Sequence, residues 1–149
     1  TVVSGFLVKF APGSHVSAVG VFNGCFYNDP TTQKPTWKNY YPGSINITTG
    51  TISASVIDDP SQLFTIQVNG TMTQAAIGNN ADVTGSTTGS TVTGVSAMTL
   101  NFATQATTAA LNLKIVGLYD LPNNALGANA QVVVKFNEHR YGSPGVAST

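Results

Sequence analysis

LNLKIVGLYDLPNNALGANAQVVVKFNEHRY, residues 111–141, decides the fold. Leu111, Leu113 and Ile115 alternate with Asn112 and Lys114, and Val132, Val134 and Phe136 alternate with Gln131, Val133 and Lys135. A period of two is the mark of a strand with one face buried. Between the two runs, DLPNNALGANA carries Pro122, Asn123, Asn124 and Gly127, residues that set or tolerate the backbone angles of tight turns. The connection is too short for a crossover helix, so the flanking strands are expected to be antiparallel or on opposed sheets.

Working outward, Phe64, Ile66 and Val68 alternate with Thr65, Gln67 and Asn69 before Gly70-Thr71, and Ile52, Ala54 and Val56 share one face of TISASVI. TQAAIGNNADV, residues 73–83, leaves room for one helical turn before Gly78. The expected fold class is all-β: a single small antiparallel barrel or sandwich over residues 15–141, with at most one short helical turn. Residues 1–14 read as an N-terminal arm or edge strand, since Val2, Val3, Phe6, Leu7, Val8 and Phe10 place much apolar surface at a terminus. Residues 142–149 read as a C-terminal arm with Val146 as its one apolar anchor. Two loops are expected inside the domain: an aromatic one at 28–44 and a flexible Gly/Ser/Thr one at 84–94.

Composition narrows the function classes. A chain of 149 residues can bury roughly 70% of its unfolded surface and needs no staple. Its single cysteine, Cys25, permits no internal disulfide and reads as a buried thiol within VGVFNGCFY. Charged residues are 8% of the chain, six basic against six acidic, where soluble domains carry about 25%. Nucleic-acid binding is excluded, because phosphate affinity needs a basic field that six scattered, matched cations cannot supply. No apolar run reaches the roughly 18 residues a membrane span requires. The first residue, Thr1, fits Met removal or a processed precursor, and the sequons at Asn46 and Asn69 are the triplets a Thr/Asn-rich chain produces by chance.

The same chain offers little chemistry. Asp29-Pro30 and Asp58-Asp59-Pro60 are turn formers. There is no calcium loop pattern, no nucleophile elbow and no phosphate-cradling loop before a helix, so no catalytic residue, cofactor or metal is expected. Glu138, His139 and Arg140 resemble a proton shuttle, but on a regular strand from Gln131 to Tyr141 alternation sends His139 to one side and Glu138 with Arg140 to the other, able to pair with each other or with another chain. Trp37, Tyr40 and Tyr41 form the one aromatic concentration, in side chains that anchor interfaces and sugar-binding surfaces.

IDDPSQLFTIQVNG, TQAAIGNNADV and above all AALNLKIVGLYDLPNNALGANAQVVVKFNEHRYG, with its Leu-rich strand, its Pro-x-Asn-x-x-Gly turn and a last strand ending in Asn-Glu-His, resemble the head decoration or cement proteins of tailed bacteriophages, in particular marine podovirus-like phages. The resemblance covers roughly residues 50–142 and is one of pattern and turn placement. It implies a non-enzymatic β-barrel on the outer capsid surface of the virion, assembled in the host cytoplasm. Its partner would be the major capsid protein, whose neighbouring subunits it would bridge, with self-association as a dimer or trimer also open. No nucleic acid or membrane enters this reading. The candidate interface residues are Val2, Val3, Phe6, Trp37, Tyr40, Tyr41, Glu138, Arg140, Tyr141 and Val146. The alternative is a carbohydrate-binding or adhesin domain that stacks sugars on Trp37, Tyr40 and Tyr41.

Overall fold

The computed structural model describes residues 2–3, 6–13, 17–43, 51–85 and 89–142. Two short strands, β1 (Val2–Val3) and β2 (Phe6–Leu7), pair antiparallel at the N-terminus. Then β3 (Val21–Asn28), β4 (Pro35–Lys38) and β5 (Ser53–Ile57) form a three-stranded sheet in the order β4-β3-β5. The remaining strands are β6 (Phe64–Asn69), β7 (Asn80–Gly85), β8 (Met98–Ala106), β9 (Leu113–Leu118) and β10 (Gln131–Phe136). They close a barrel in the order β10-β6-β8-β7-β9. Among the described residues a single 3-10 turn, Gln74–Ala76, occupies the place the sequence left for it. The fold is therefore all-β, with the barrel drawn from residues 64–136 and the separate sheet from residues 21–57.

The alternating strands build the barrel because each has one side to bury. Val132 and Val134 on β10, Ile115 on β9, Leu100 on β8 and Val68 on β6 meet in one core, almost wholly removed from water. Burying each such side chain contributes about 1.5–3 kcal/mol. β9 and β10 pair antiparallel, as the turn between them requires, and a bulge opposite Val133/Val134 turns Val116 out to solvent. The turn is closed by one side chain: Asn124 Nδ2 donates to the carbonyls of Tyr119 and Gln131 at 2.6 and 2.7 Å, and its Oδ1 accepts the Gln131 N–H at 2.9 Å. Within the barrel β6 and β8 run parallel, whereas its other neighbouring strands pair antiparallel.

Three expectations are corrected. The last strand stops at Phe136 rather than Tyr141: Asn137 N–H still reaches the Asn112 carbonyl in register with β9, but its Nδ2 donates to the carbonyls of Ala109 and Leu111 and the chain bends at residues 137–138. Residues 28–44 are not a loop throughout, since they contain β4, which pairs with β3 as an edge strand where Pro35 can open the strand without disrupting a ladder. In the stretch 84–94, β7 continues to Gly85, and residues 89–95 form a turn knit by Ser90, whose hydroxyl accepts the N–H groups of Val92 and Thr93. Residues 86–88 of that stretch lie outside the described residues.

Among the described residues, hydrogen bonds tie the segments beside the sheet to the barrel side of the chain at Ala18 and at Asn39. Ala18, just before β3, bridges His139 in parallel fashion, with Ala18 N–H donating to the Glu138 carbonyl and Arg140 N–H to the Ala18 carbonyl. Past β4, Asn39 Nδ2 donates to the Thr93 carbonyl at 3.1 Å.

Candidate functional site

The three-stranded sheet has two unlike faces. Pairing in register sets Cys25 and Tyr27 beside Lys38, Thr36 and Ala54 on one side, and there Cys25 is 0% and Tyr27 4% exposed. On the other side Phe26 stands directly opposite Trp37, and they are 47% and 52% exposed. Val21 and Ile57, opposite each other on β3 and β5, are also exposed and extend this face. Directly opposed aromatics on one face are a stabilising sheet pair, but here the pair is turned to solvent.

Gly24 is what lets Trp37 lie flat. A Cβ at Gly24 would fall 2.4 Å from Trp37 Cζ2 and 2.8 Å from the Lys38 carbonyl oxygen, and the backbone there has φ +126°, which only glycine adopts freely. The indole therefore covers a bare stretch of β3. Sequence reasoning missed Phe26 and Gly24, since VGVFNGCFY reads as one apolar run; the signal was the Asn23-Gly24 interruption, because glycine inside a strand marks a bulge or a close approach. The ladder is in fact irregular between Phe22 and Gly24.

The other aromatic candidates do not join Trp37. Tyr40 is half-buried, with the Lys38 Nζ 5.8 Å from its ring centroid and its carbonyl 3.4 Å from Cys25 Sγ. Burial pushes the Cys25 thiol above its ordinary range. Tyr41 is 60% exposed and lines a groove of about 440 Å³ with Phe6, Leu7, Thr51 and Ile52. Phe6 is thus placed beside Tyr41, away from the Phe26–Trp37 pair in register. Val2 and Val3 are placed only as the backbone of β1, and Val146 lies outside the described residues.

At the other end of the chain, no ion pair joins Glu138, half-buried, to Arg140, exposed. His139 is buried between Phe136 and Tyr141, at ring distances of 5.8 and 6.0 Å, and its Nδ1 accepts the Tyr141 N–H at 3.1 Å. Its Nε2 has no hydrogen-bond partner. The acids before prolines hold turns: Asp59 accepts the Ser61 N–H, and Asp29 accepts those of Thr32 and Thr31, which hold its carboxyl below the usual carboxylate range. Among the described residues no group of three His, Cys, Asp or Glu side chains is placed to hold a metal ion.

Compared with protein-family models, with curated proteins and with solved structures, the chain has no match.

Proposed function

We propose that this protein is a non-enzymatic virion component that decorates the outer surface of a capsid and cements neighbouring major-capsid subunits. The observation that supports this most is the Phe26–Trp37 pair with Val21 and Ile57, exposed apolar side chains on one face of a sheet whose other face buries Cys25 and Tyr27. Aromatic side chains on a rigid element are the usual energetic centre of a protein interface. The near absence of charge fits a permanently docked protein better than a free one, which relies on net charge to stay dispersed. The choice of a capsid as partner rests on the resemblance of residues 50–142 to phage cement proteins.

Capsid shells assembled without this protein, then supplied with it, provide the test. Wild-type protein is expected to bind them and raise their resistance to heat, and Trp37→Ala is expected to weaken binding by more than tenfold. Equal heat resistance with and without the bound protein would remove the cementing role. A second reading, carbohydrate binding, is favoured by the exposed indole of Trp37, which offers a flat face of the kind sugars stack on. Glycan-array binding that disappears in Trp37→Ala, with no binding to shells, selects it.

A further inference from the structure

β7 and β9 bring a lysine, an asparagine and an aspartate together on the side of their ladder that faces away from the barrel core. Asn80 is directly opposite Lys114 in the antiparallel register, while the next pair, Ala81 and Leu113, points into the core. Alternation carries Asp82 and Asn112 to the same side as Asn80 and Lys114, and there Asp82 Oδ1 accepts the Asn112 N–H at 3.4 Å. Asn80 is 0%, Asn112 1% and Asp82 4% exposed, and Lys114 is half-buried.

The Lys114 Nζ lies 3.5 Å from Asn80 Oδ1. Asn80 Nδ2 donates to the Thr108 carbonyl at 3.0 Å, which fixes the carboxamide with its oxygen toward the amine. The Asp82 backbone is pinned in turn, its N–H donating to Thr104 Oγ1 at 3.0 Å. Beside it the Asn112 carboxamide is buried, with neither Nδ2 nor Oδ1 hydrogen-bonded to another protein group. The Lys114 nitrogen is held against the Asn80 carboxamide, and two reacting groups kept in contact gain effective concentrations far beyond any in solution.

We propose that Lys114 and Asn80 react within the folded chain to form an amide cross-link between β7 and β9, with Asp82 carrying the proton. The lysine ammonium passes one proton to the Asp82 carboxylate, and the free amine attacks Asn80 Cγ. The new Nζ–Cγ bond forms as the Cγ–Nδ2 bond breaks. Nδ2 leaves with its two hydrogens, one more from Nζ and the one held by Asp82, as ammonium, and the carboxylate is restored. No oxidant, reductant or external cofactor is needed. The product joins two neighbouring strands of the barrel and closes a loop of chain that contains β8, and it stands whether or not the protein docks on a capsid.

The full-length chain, purified and incubated folded, is analysed by intact mass under denaturing conditions. The expected mass is lower than the sequence mass by one ammonia, and a protease digest contains a branched peptide joining the Asn80 and Lys114 segments. Lys114→Arg and Asn80→Ala are each expected to restore the full sequence mass, Asp82→Ala to stop the reaction, and Asp82→Glu to retain it in part. A wild-type mass equal to the sequence mass overturns the proposal, and this reading depends on no variant folding. So does an ammonia loss that maps to a succinimide at Asn69-Gly70 with no branched peptide. A branched peptide formed at the wild-type rate in Asp82→Ala would overturn the role given to Asp82.

Discussion

Gly24→Ala tests whether the apolar face is held by the close approach of Trp37 to bare backbone. Alanine at φ +126° carries about 1–3 kcal/mol of backbone strain. Its Cβ would also meet Trp37 Cζ2 at 2.4 Å and the Lys38 carbonyl oxygen at 2.8 Å. The indole can swing away, but the carbonyl belongs to the residue paired with Cys25, so the β3–β4 ladder must part or the Cβ must push against it. Overpacking of this kind costs about 1–3 kcal/mol, and the two effects together come to roughly 2–6 kcal/mol, a large share of the 5–15 kcal/mol typical of a domain. Trp37 is the sole tryptophan, so its fluorescence reports both effects at once. The expected result is a lower urea midpoint and a shifted emission maximum in the native state. Gly127→Ala is the control, because its φ of +145° is comparable but nothing lies within 4 Å of its added Cβ; it should lose the strain alone and leave emission unchanged. Gly24→Ala with the same midpoint as Gly127→Ala and wild-type emission would refute the account of how Trp37 is seated.

Two further outcomes follow from single side chains. Asn124→Ala removes three hydrogen bonds from the β9–β10 turn and is expected to cost about 2 kcal/mol, at a net 0.5–1.5 kcal/mol for each bond with some recovered from water; urea denaturation measures it, and a change within error would show the turn to be held by its backbone alone. Cys25 is expected to ignore a thiol reagent at neutral pH until denaturant is added. Because burial raises its thiol above the ordinary value, the stability it contributes is present below the ordinary thiol range and is lost as pH rises through the raised value, so denaturation midpoints should fall in alkali for the wild type more than for Cys25→Ala.

What could be read from the sequence depended on whether a strand had one face to bury. β6, β9 and β10 do, and Val68, Ile115 and Val132 were legible as core from alternation alone. β4 was not: four residues behind Asp29-Pro30 and ending before Tyr40 carry the composition of a turn, and only pairing with β3 makes them a strand. That pairing also separates residues that look like one cluster on paper. Trp37 falls on the exposed face while Lys38, the next residue, falls on the other side and reaches Tyr40. In the same way, alternation says that Asn112 and Lys114 leave the core beside Leu113, but not that they are met there by Asn80 and Asp82 from a strand thirty residues earlier. His139 is the opposite case. Its separation from Arg140 in exposure was expected from a regular strand, yet it arises after the strand has ended, from the bridge to Ala18.

That bridge explains how a three-stranded sheet can present an apolar face at all. Three strands are near the lower limit for independent stability, and this sheet buries Cys25 and Tyr27 on one face but leaves Phe26, Trp37, Val21 and Ile57 exposed on the other. Part of its order is therefore supplied from elsewhere. The barrel supplies it through main-chain bonds at Ala18, where His139 is locked between Phe136 and Tyr141, and through Asn39 on the loop around Thr93. Contacts of this kind fix position without covering the exposed face. A surface that is rigid before binding loses less conformational entropy on docking, so each apolar contact it makes contributes more to affinity. A barrel that buries its apolar residues and a tethered sheet that shows them are thus the arrangement the proposed docking role would use, and Trp37→Ala tests it.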